Sequence, residues 1–216
     1  ENSLFNEYLW AAFGLRALNA VVVDYSASIR TPLDVLGAAI ATGIDIAARL
    51  DPEEAPTLFR LARSLQINSE NPPVNGGFLI MSSPNSYGET DLRALAETGA
   101  YAPNPEDDLP GPQVIAAWAW DERTDAKILL VGDSDFITNG YISSSLGNAI
   151  LFTDGLAWLT GLSEQIGFSP RAFTTGLPLL YVTAEQLDLI ALITALVMPG
   201  TVLLAGLLVW RRRGRQ

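Results

Sequence analysis

Asp133 and Asp135 stand two residues apart in Val131-Gly132-Asp133-Ser134-Asp135-Phe136, directly after the apolar run Ile128-Leu129-Leu130. Two carboxylates at that spacing, where a strand gives way to a loop, can hold a hard cation such as Mg²⁺, with Asn139 as a further polar ligand. The same residues also read as a turn. Asp133 or Asp135 then caps the next turn of chain, and Ser134 and Asn139 make local hydrogen bonds. A cation needs another carboxylate or a phosphate, and nothing in the sequence fixes one, so no metal is assigned. Read as the carboxyl end of a strand in an open parallel sheet, this loop lies at the edge where ligands bind. Asp133, Ser134, Asp135 and Asn139 are therefore candidates for contact with a ligand or partner. A second polar loop, Ser82-Ser83-Pro84-Asn85-Ser86-Tyr87-Gly88-Glu89, comes after Phe78-Leu79-Ile80-Met81. Its candidates are Ser82, Ser83 and Tyr87. It lacks the Gly-x-Ser-x-Gly elbow, and it reads as a structural or binding loop.

Composition narrows the chemistry further. The 216 residues include no Cys and no His, which excludes zinc fingers, disulfide frameworks, Cys nucleophiles and His-based triads. Neither a Gly-x-Gly-x-x-Gly nor a P-loop pattern occurs. Thirteen basic residues face twenty-four acidic ones, a net charge of −11, so the chain lacks the basic surface that binds nucleic acid. Apolar residues make up 49% of the chain, too many for a disordered one. The acids at 106–108 read as a solvated loop. No catalytic residue and no cofactor are assigned, and the expectation is a protein that is not an enzyme.

The elements that must position these loops are short. Residues 3–13 read as a helix with Phe5, Tyr8, Leu9 and Ala12 on one face and Gly14 after its end. Residues 20–24 are an apolar strand ending in Asp24. Residues 35–50 leave helix and packed loop both open. Residues 58–64 look helical, 65–68 strand-like, and Pro72-Pro73 with Gly76-Gly77 mark a turn. After the strand 78–81, residues 90–98 form a helix capped near Ser86 or Glu89, and the Pro-rich stretch 101–112 is an exposed loop. Residues 113–120 are a strand with Val114, Ala116, Trp118 and Trp120 on one face. Its other face, with Ile115, Ala117 and Ala119, lets a helix approach closely. Residues 127–131 are apolar on both faces, which predicts a central parallel strand. Residues 146–159 are a well-buried helix, and 163–181 a connector. Alternating strands and helices predict an α/β fold, a mostly parallel layered sheet of the flavodoxin or Rossmann type.

Charge placement predicts where this domain sits. All twenty-four acids lie in residues 1–188, which carry nine basic residues and a net −15. Residues 189–210 are uncharged, with seventeen of twenty-two Leu, Ile, Val, Ala, Met or Trp. At about 1.5 Å per residue that stretch crosses a bilayer core of about 30 Å. Leu189 opens the span, Pro199-Gly200 predicts a kink in its middle, and Trp210 belongs at the interface. Arg211, Arg212 and Arg213 predict a cytoplasmic tail by the positive-inside rule. The expected organisation is an extracytoplasmic domain at 1–182, a helix at 183–210 with a capping box at Thr183-Ala184-Glu185-Gln186, and a basic tail at 211–216. The expected place is the plasma membrane, crossed once. The chain opens at Glu1 with no Met and no leader, so a further upstream piece is expected.

The run Val131 to Phe136, Asn139, and the stretch Asn148-Ala149-Ile150-Leu151-Phe152-Thr153-Asp154-Gly155-Leu156-Ala157-Trp158-Leu159 resemble the GldG-like, gliding-motility type of ABC-transporter auxiliary protein. That family pairs a strand ending V-G-D-S-D-F and a nearby Asn with a helix of the form N-x-x-L-F-x-N-x-x-x-W-L. Asp154 stands where its second Asn is usual. The Ser82 to Leu92 loop and the opening helix-Gly-strand stretch are similar as well, with Tyr87 where an aromatic is usual. The resemblance implies an α/β domain of the intraflagellar-transport type without enzyme activity. It also implies a role as an auxiliary subunit of an ABC-type export system, with a multi-span permease and, through it, a cytoplasmic ATPase as partners beside the lipid bilayer. An accessory subunit of another large membrane complex, or a solute-binding module, is the alternative.

Overall fold

The computed structural model describes residues 3–68, 74–162 and 184–213. The first helix, α1 (Leu4–Phe13), is bounded as its sequence dictates. The Ser3 side chain accepts from the Asn6 N–H, and Gly14, at φ 68°, returns its own N–H to the carbonyls of Leu9 and Trp10. Strand β1 (Leu15–Asp24) begins at once. The Asn6 carboxamide then bonds both backbone groups of Ala17, at 2.8 Å each, and ties helix to strand.

Among the described residues the strands are β1, β2 (Asp34–Leu36), β3 (Ala39–Ile40), β4 (Leu58–Arg60), β5 (Arg63–Ile67), β6 (Val74–Met81), β7 (Ser86–Glu89), β8 (Leu109–Pro110), β9 (Val114–Asp121) and β10 (Ala126–Val131). Eight of them form one sheet in the order β3-β6-β9-β5-β1-β7-β8, with β10 also on β9, while β2 and β4 pair separately. Every pairing is antiparallel.

The mostly parallel flavodoxin- or Rossmann-like expectation is therefore wrong. The four residues 122–125 between β9 and β10 close a hairpin, whereas a parallel crossover needs a dozen or more. Residues 127–131 are apolar on both faces because the sheet is covered on both sides. On one side Trp118, Leu129 and Val131 pack with Ile150, Leu151 and Trp158 of the helix Leu146–Thr160. On the other, Ala117 and Ala119 are fully buried with Leu15 and Leu65, against Phe13 of α1. Two-sided apolarity reports coverage, not strand direction.

Residues 58–64 are two strands rather than a helix. Leu61, at φ 51°, turns the chain between β4 and β5, and pairing with β2 and β1 outweighs a short helical pattern. Gly76 and Gly77 lie inside β6, opposite Ala119 and Trp118, and not in a turn. Residues 35–50 hold β2, β3 and a single 3₁₀ turn, Asp45–Ala47. Leu109 and Pro110 give the Pro-rich loop one short pairing with β7.

The helices after α1 are α2 (Leu92–Thr98), capped by Asp91, α3 (Asn139–Ser144), α4 (Leu146–Thr160), α5 (Ala184–Leu192) and α6 (Met198–Arg213). Trp118 and Trp158 meet edge to face at 6.1 Å beneath α4. Between α5 and α6 lies a π-helical turn, Ile193–Val197, where the Met198 N–H reaches the Ile193 carbonyl. Pro199 sits just beyond it. A proline ring crowds the carbonyl four residues earlier, and a widened turn is one way a helix makes room. The segment Gln186–Leu203 has mean hydropathy 1.8 and no burial against the rest of the chain, so one C-terminal helix is long and apolar enough to cross a membrane. The connector at 163–181 and Thr183 of the capping box lie outside the described residues.

Candidate functional site

The aspartate loop grows out of β10. At its root the chain passes so close to β5 that a Cβ on Gly132 would collide with the Arg63 carbonyl. Gly132 instead accepts from the Arg63 N–H and donates to Ile115, at 2.8 and 2.9 Å. Asp133 turns inward and is buried. Its Oδ2 accepts from the Arg60 N–H at 2.8 Å and its Oδ1 from the Asp135 N–H at 2.7 Å. Burial pushes the Asp133 carboxyl above the usual range, and the two backbone donors oppose that shift only in part. Ser134, Asp135 and Asn139 are exposed. Asp133 thus clamps β4 to the 3₁₀ turn Asp135–Ile137 through one N–H on each. Among the described residues no three acidic side chains gather as metal ligands would.

The serine loop is drawn inward too. Asp24, fully buried at the end of β1, accepts four hydrogen bonds. The N–H groups of Ser26 and Ala27 and the Ser83 hydroxyl reach Oδ1, and the Ser83 N–H reaches Oδ2, all within 2.7–2.9 Å. The Ser82 hydroxyl lies 2.6 Å from that of Ser86 and accepts from the Gln113 N–H at 2.8 Å. Gln113 is itself buried, accepting from the Ser64 hydroxyl and donating to the carbonyls of Leu109 and Pro110. The Tyr87 hydroxyl donates to the Tyr101 carbonyl, and burial, followed by the nearby Tyr25, pushes its ionisation well above the usual phenol range. An open depression of about 380 Å³ remains between this loop and the Pro-rich stretch, walled by Pro84, Tyr87, Pro103 and Asp108.

Four of the seven candidates, Asp133, Ser82, Ser83 and Tyr87, are thus buried and engaged, and the two loops are not brought together into one site. Sequence reasoning did not single out Asp24, Gln113 or Asn148 as organising groups. Asn148 is fully buried in α4. Its Oδ1 accepts from the Leu58 N–H at 2.8 Å, and its Nδ2 donates to the carbonyls of Leu58 and Phe136 at 2.8 and 3.0 Å. Asp154, the departure from the resembled pattern, forms an ion pair with Arg49. In the C-terminal helix, Leu189, Pro199 and Trp210 are exposed, Gly200 is half-buried, and Arg211, Arg212 and Arg213 make the last helical turn. What the two loops do is hold strand ends in register; the Ser83 hydroxyl is spent on the buried Asp24 carboxylate, which the N–H groups of Ser26, Ala27 and Ser83 also bind.

No family model matches the chain, and no curated protein matches it. Among solved structures, the mmIFT52 N-terminal domain is similar, with a TM-score of 0.49 at 14% identity over 73% of this chain. The chain spans 57% of that structure's length.

Proposed function

We propose that this chain is a non-enzymatic auxiliary subunit of an ABC-type export system. Its acidic domain stands outside the membrane, docked on a multi-span permease and through it linked to a cytoplasmic ATPase. The observation that carries the reading is the C-terminal helix. Among the described residues, eleven large apolar side chains from Leu187 to Trp210 are exposed. Leaving each in water costs about 1.5–3 kcal/mol, together on the order of 20 kcal/mol, more than the whole stability of an ordinary domain. A bilayer removes that cost. The arginines at 211–213 favour the cytoplasmic side for the tail, and so the outside for residues 1–188, which carry net −15.

The GldG-like resemblance supplies the transport assignment, and it rests chiefly on Val131 to Phe136, Asn139 and the α4 residues, with the Ser82 to Leu92 loop and the opening helix-Gly-strand stretch beside them. The loops support a docking role rather than chemistry, because their buried polar groups are committed to holding backbone. Coupling in such a subunit is by contact: the domain moves with the permease without a reaction of its own. Affinity purification of the full chain from its native membranes tests this. The account predicts recovery of a multi-span permease and an ATPase in fixed ratio with the chain. Recovery of the chain alone, or with soluble proteins only, contradicts it.

A further inference from the structure

Residues 39–54 read Ala-Ile-Ala-Thr-Gly-Ile-Asp-Ile-Ala-Ala-Arg-Leu-Asp-Pro-Glu-Glu, apolar at first and acidic at the end. Ile46, Ala47 and Leu50 are buried in the main core, while Ile40, Ala41 and Ile44 are only partly covered. Gly43, at φ 79°, reverses the chain between them, a conformation that L side chains rarely adopt. The result is an open groove of about 650 Å³ with Ile40, Ala41, Ile44 and Leu50 among its walls. It lies beside β3, the outermost strand of the sheet, which is two residues long and paired with β6 alone among the described strands.

The rim is acidic. Asp45 lines the groove, and Asp51, Glu53 and Glu54 are exposed next to it. Asp51 Oδ1 accepts from the N–H groups of Glu53 and Glu54 at 2.7 and 2.9 Å, which fixes the turn and holds the Asp51 carboxyl below the usual range. The base in this stretch, Arg49, is engaged by Asp154. An apolar floor beside four carboxylates is complementary to an apolar segment with positive ends. A second copy of this chain suits it poorly, since residues 1–188 carry net −15 and would bring like charge to like.

We propose that this groove docks an apolar segment flanked by Lys or Arg, presented by the extracytoplasmic surface of the membrane partner. The inference rests on the reading of the chain as a docking subunit and names the surface that docks. Two variants separate floor from rim. Ala48→Trp, at an exposed position lining the groove, fills it without entering the core. The triple change Asp45→Lys, Glu53→Lys and Glu54→Lys reverses the rim. The probe is a fluorescent peptide with a central run of Leu and Lys at both ends, titrated by anisotropy onto the full chain in detergent. One control peptide has Ser in place of Leu, another Glu in place of Lys. The expected result is binding about tenfold or more tighter than either control, and a loss of about tenfold or more in each variant whose thermal unfolding matches wild type. Equal binding of the Ser peptide, equal binding of the Glu peptide, or full affinity in both variants overturns the proposal. Co-purification keeps the two readings apart. Permease recovered equally with wild type and with both variants sinks the groove and leaves the subunit role standing; permease missing from wild type sinks the subunit role, while the peptide series still judges the groove.

Discussion

The side-chain amide of Asn148 pairs with both backbone groups of Leu58, accepting from its N–H and donating to its carbonyl at 2.8 Å each. A helix thereby continues the hydrogen bonding of a strand. β4 has β2 on one edge, and the Asn148 carboxamide serves Leu58 where no further strand pairs among the described residues. The remaining amide hydrogen goes to Phe136, so β4, the turn after the aspartate loop and α4 are fixed by one residue.

Asn148→Ala is expected to destabilise the domain by about 3 kcal/mol, because it strands two buried backbone groups of Leu58 and the Phe136 carbonyl. Asn148→Asp should be at least as harmful, since it replaces two donors with a buried charge. Chemical denaturation of the full chain in detergent, followed by tryptophan emission, measures both. An Asn148→Ala variant within about 0.5 kcal/mol of wild type, the scatter of surface substitutions, contradicts the assignment.

Asp133 carries a sign that can be tested. Its folded-state value lies above the ordinary one, so the unfolded chain releases this proton first. Stability contributed by Asp133 is then full below the ordinary carboxylate range and falls as pH rises through the raised value. Asp133→Asn removes that slope. The stability gap between wild type and Asp133→Asn should narrow as pH goes from about 3.5 to about 7. A gap that widens with pH contradicts burial as the governing cause.

Gly132→Ala should cost about 1–3 kcal/mol or more, the usual penalty of overpacking, because the new methyl meets the Arg63 carbonyl and parts β5 from β10. Gly140→Ala, in α3 where a Cβ meets nothing within 4 Å, is the control and should leave the unfolding midpoint in place or raise it. Equal effects at both positions would remove the steric explanation.

Lys127, the one lysine of the chain, sits 5.8 Å from the Trp120 ring and 5.5 Å from the Trp158 ring, with its Nζ 3.4 Å from the Trp158 carbonyl. It caps the end of α4 with positive charge. Lys127→Gln is expected to lose about 1 kcal/mol and to change tryptophan emission in the folded state. Unchanged emission and stability together contradict this placement.

Local signals are legible in the sequence where a few adjacent residues decide the outcome. Ser3 and Gly14 bound α1, and Asn148 to Leu159 form a helix, because caps and periodicity act within a turn or two. The sheet's direction is not legible from β10, because Ile128, Leu129 and Leu130 are apolar for covering layers supplied by α4 and by α1, the latter at the opposite end of the domain's sequence. A clue is present in the short polar stretch 122–125, which is too brief for a crossover. Residues 58–64 mislead for a related reason: the stretch looks helical by itself, yet the pairing of Phe59 with Val35 is decided by chain more than twenty residues upstream. Of the candidate groups, Asp133 has one local partner, the Asp135 N–H two residues on, while its other partner, the Arg60 N–H, is brought to it only by the fold. Asp24 stands in plain view as an acid ending an apolar strand, but only the fold brings Ser83 to it.

The absence of cysteine makes membrane topology directly measurable. Ser134→Cys, on the exposed loop, and Gln216→Cys, beyond the arginines, are labelled with a membrane-impermeant maleimide on intact cells. The account predicts labelling at 134 from outside and labelling at 216 only after permeabilisation, with both variants retained in carbonate-washed membranes. Labelling at 216 but not 134 in intact cells, or release of the chain by carbonate, contradicts it.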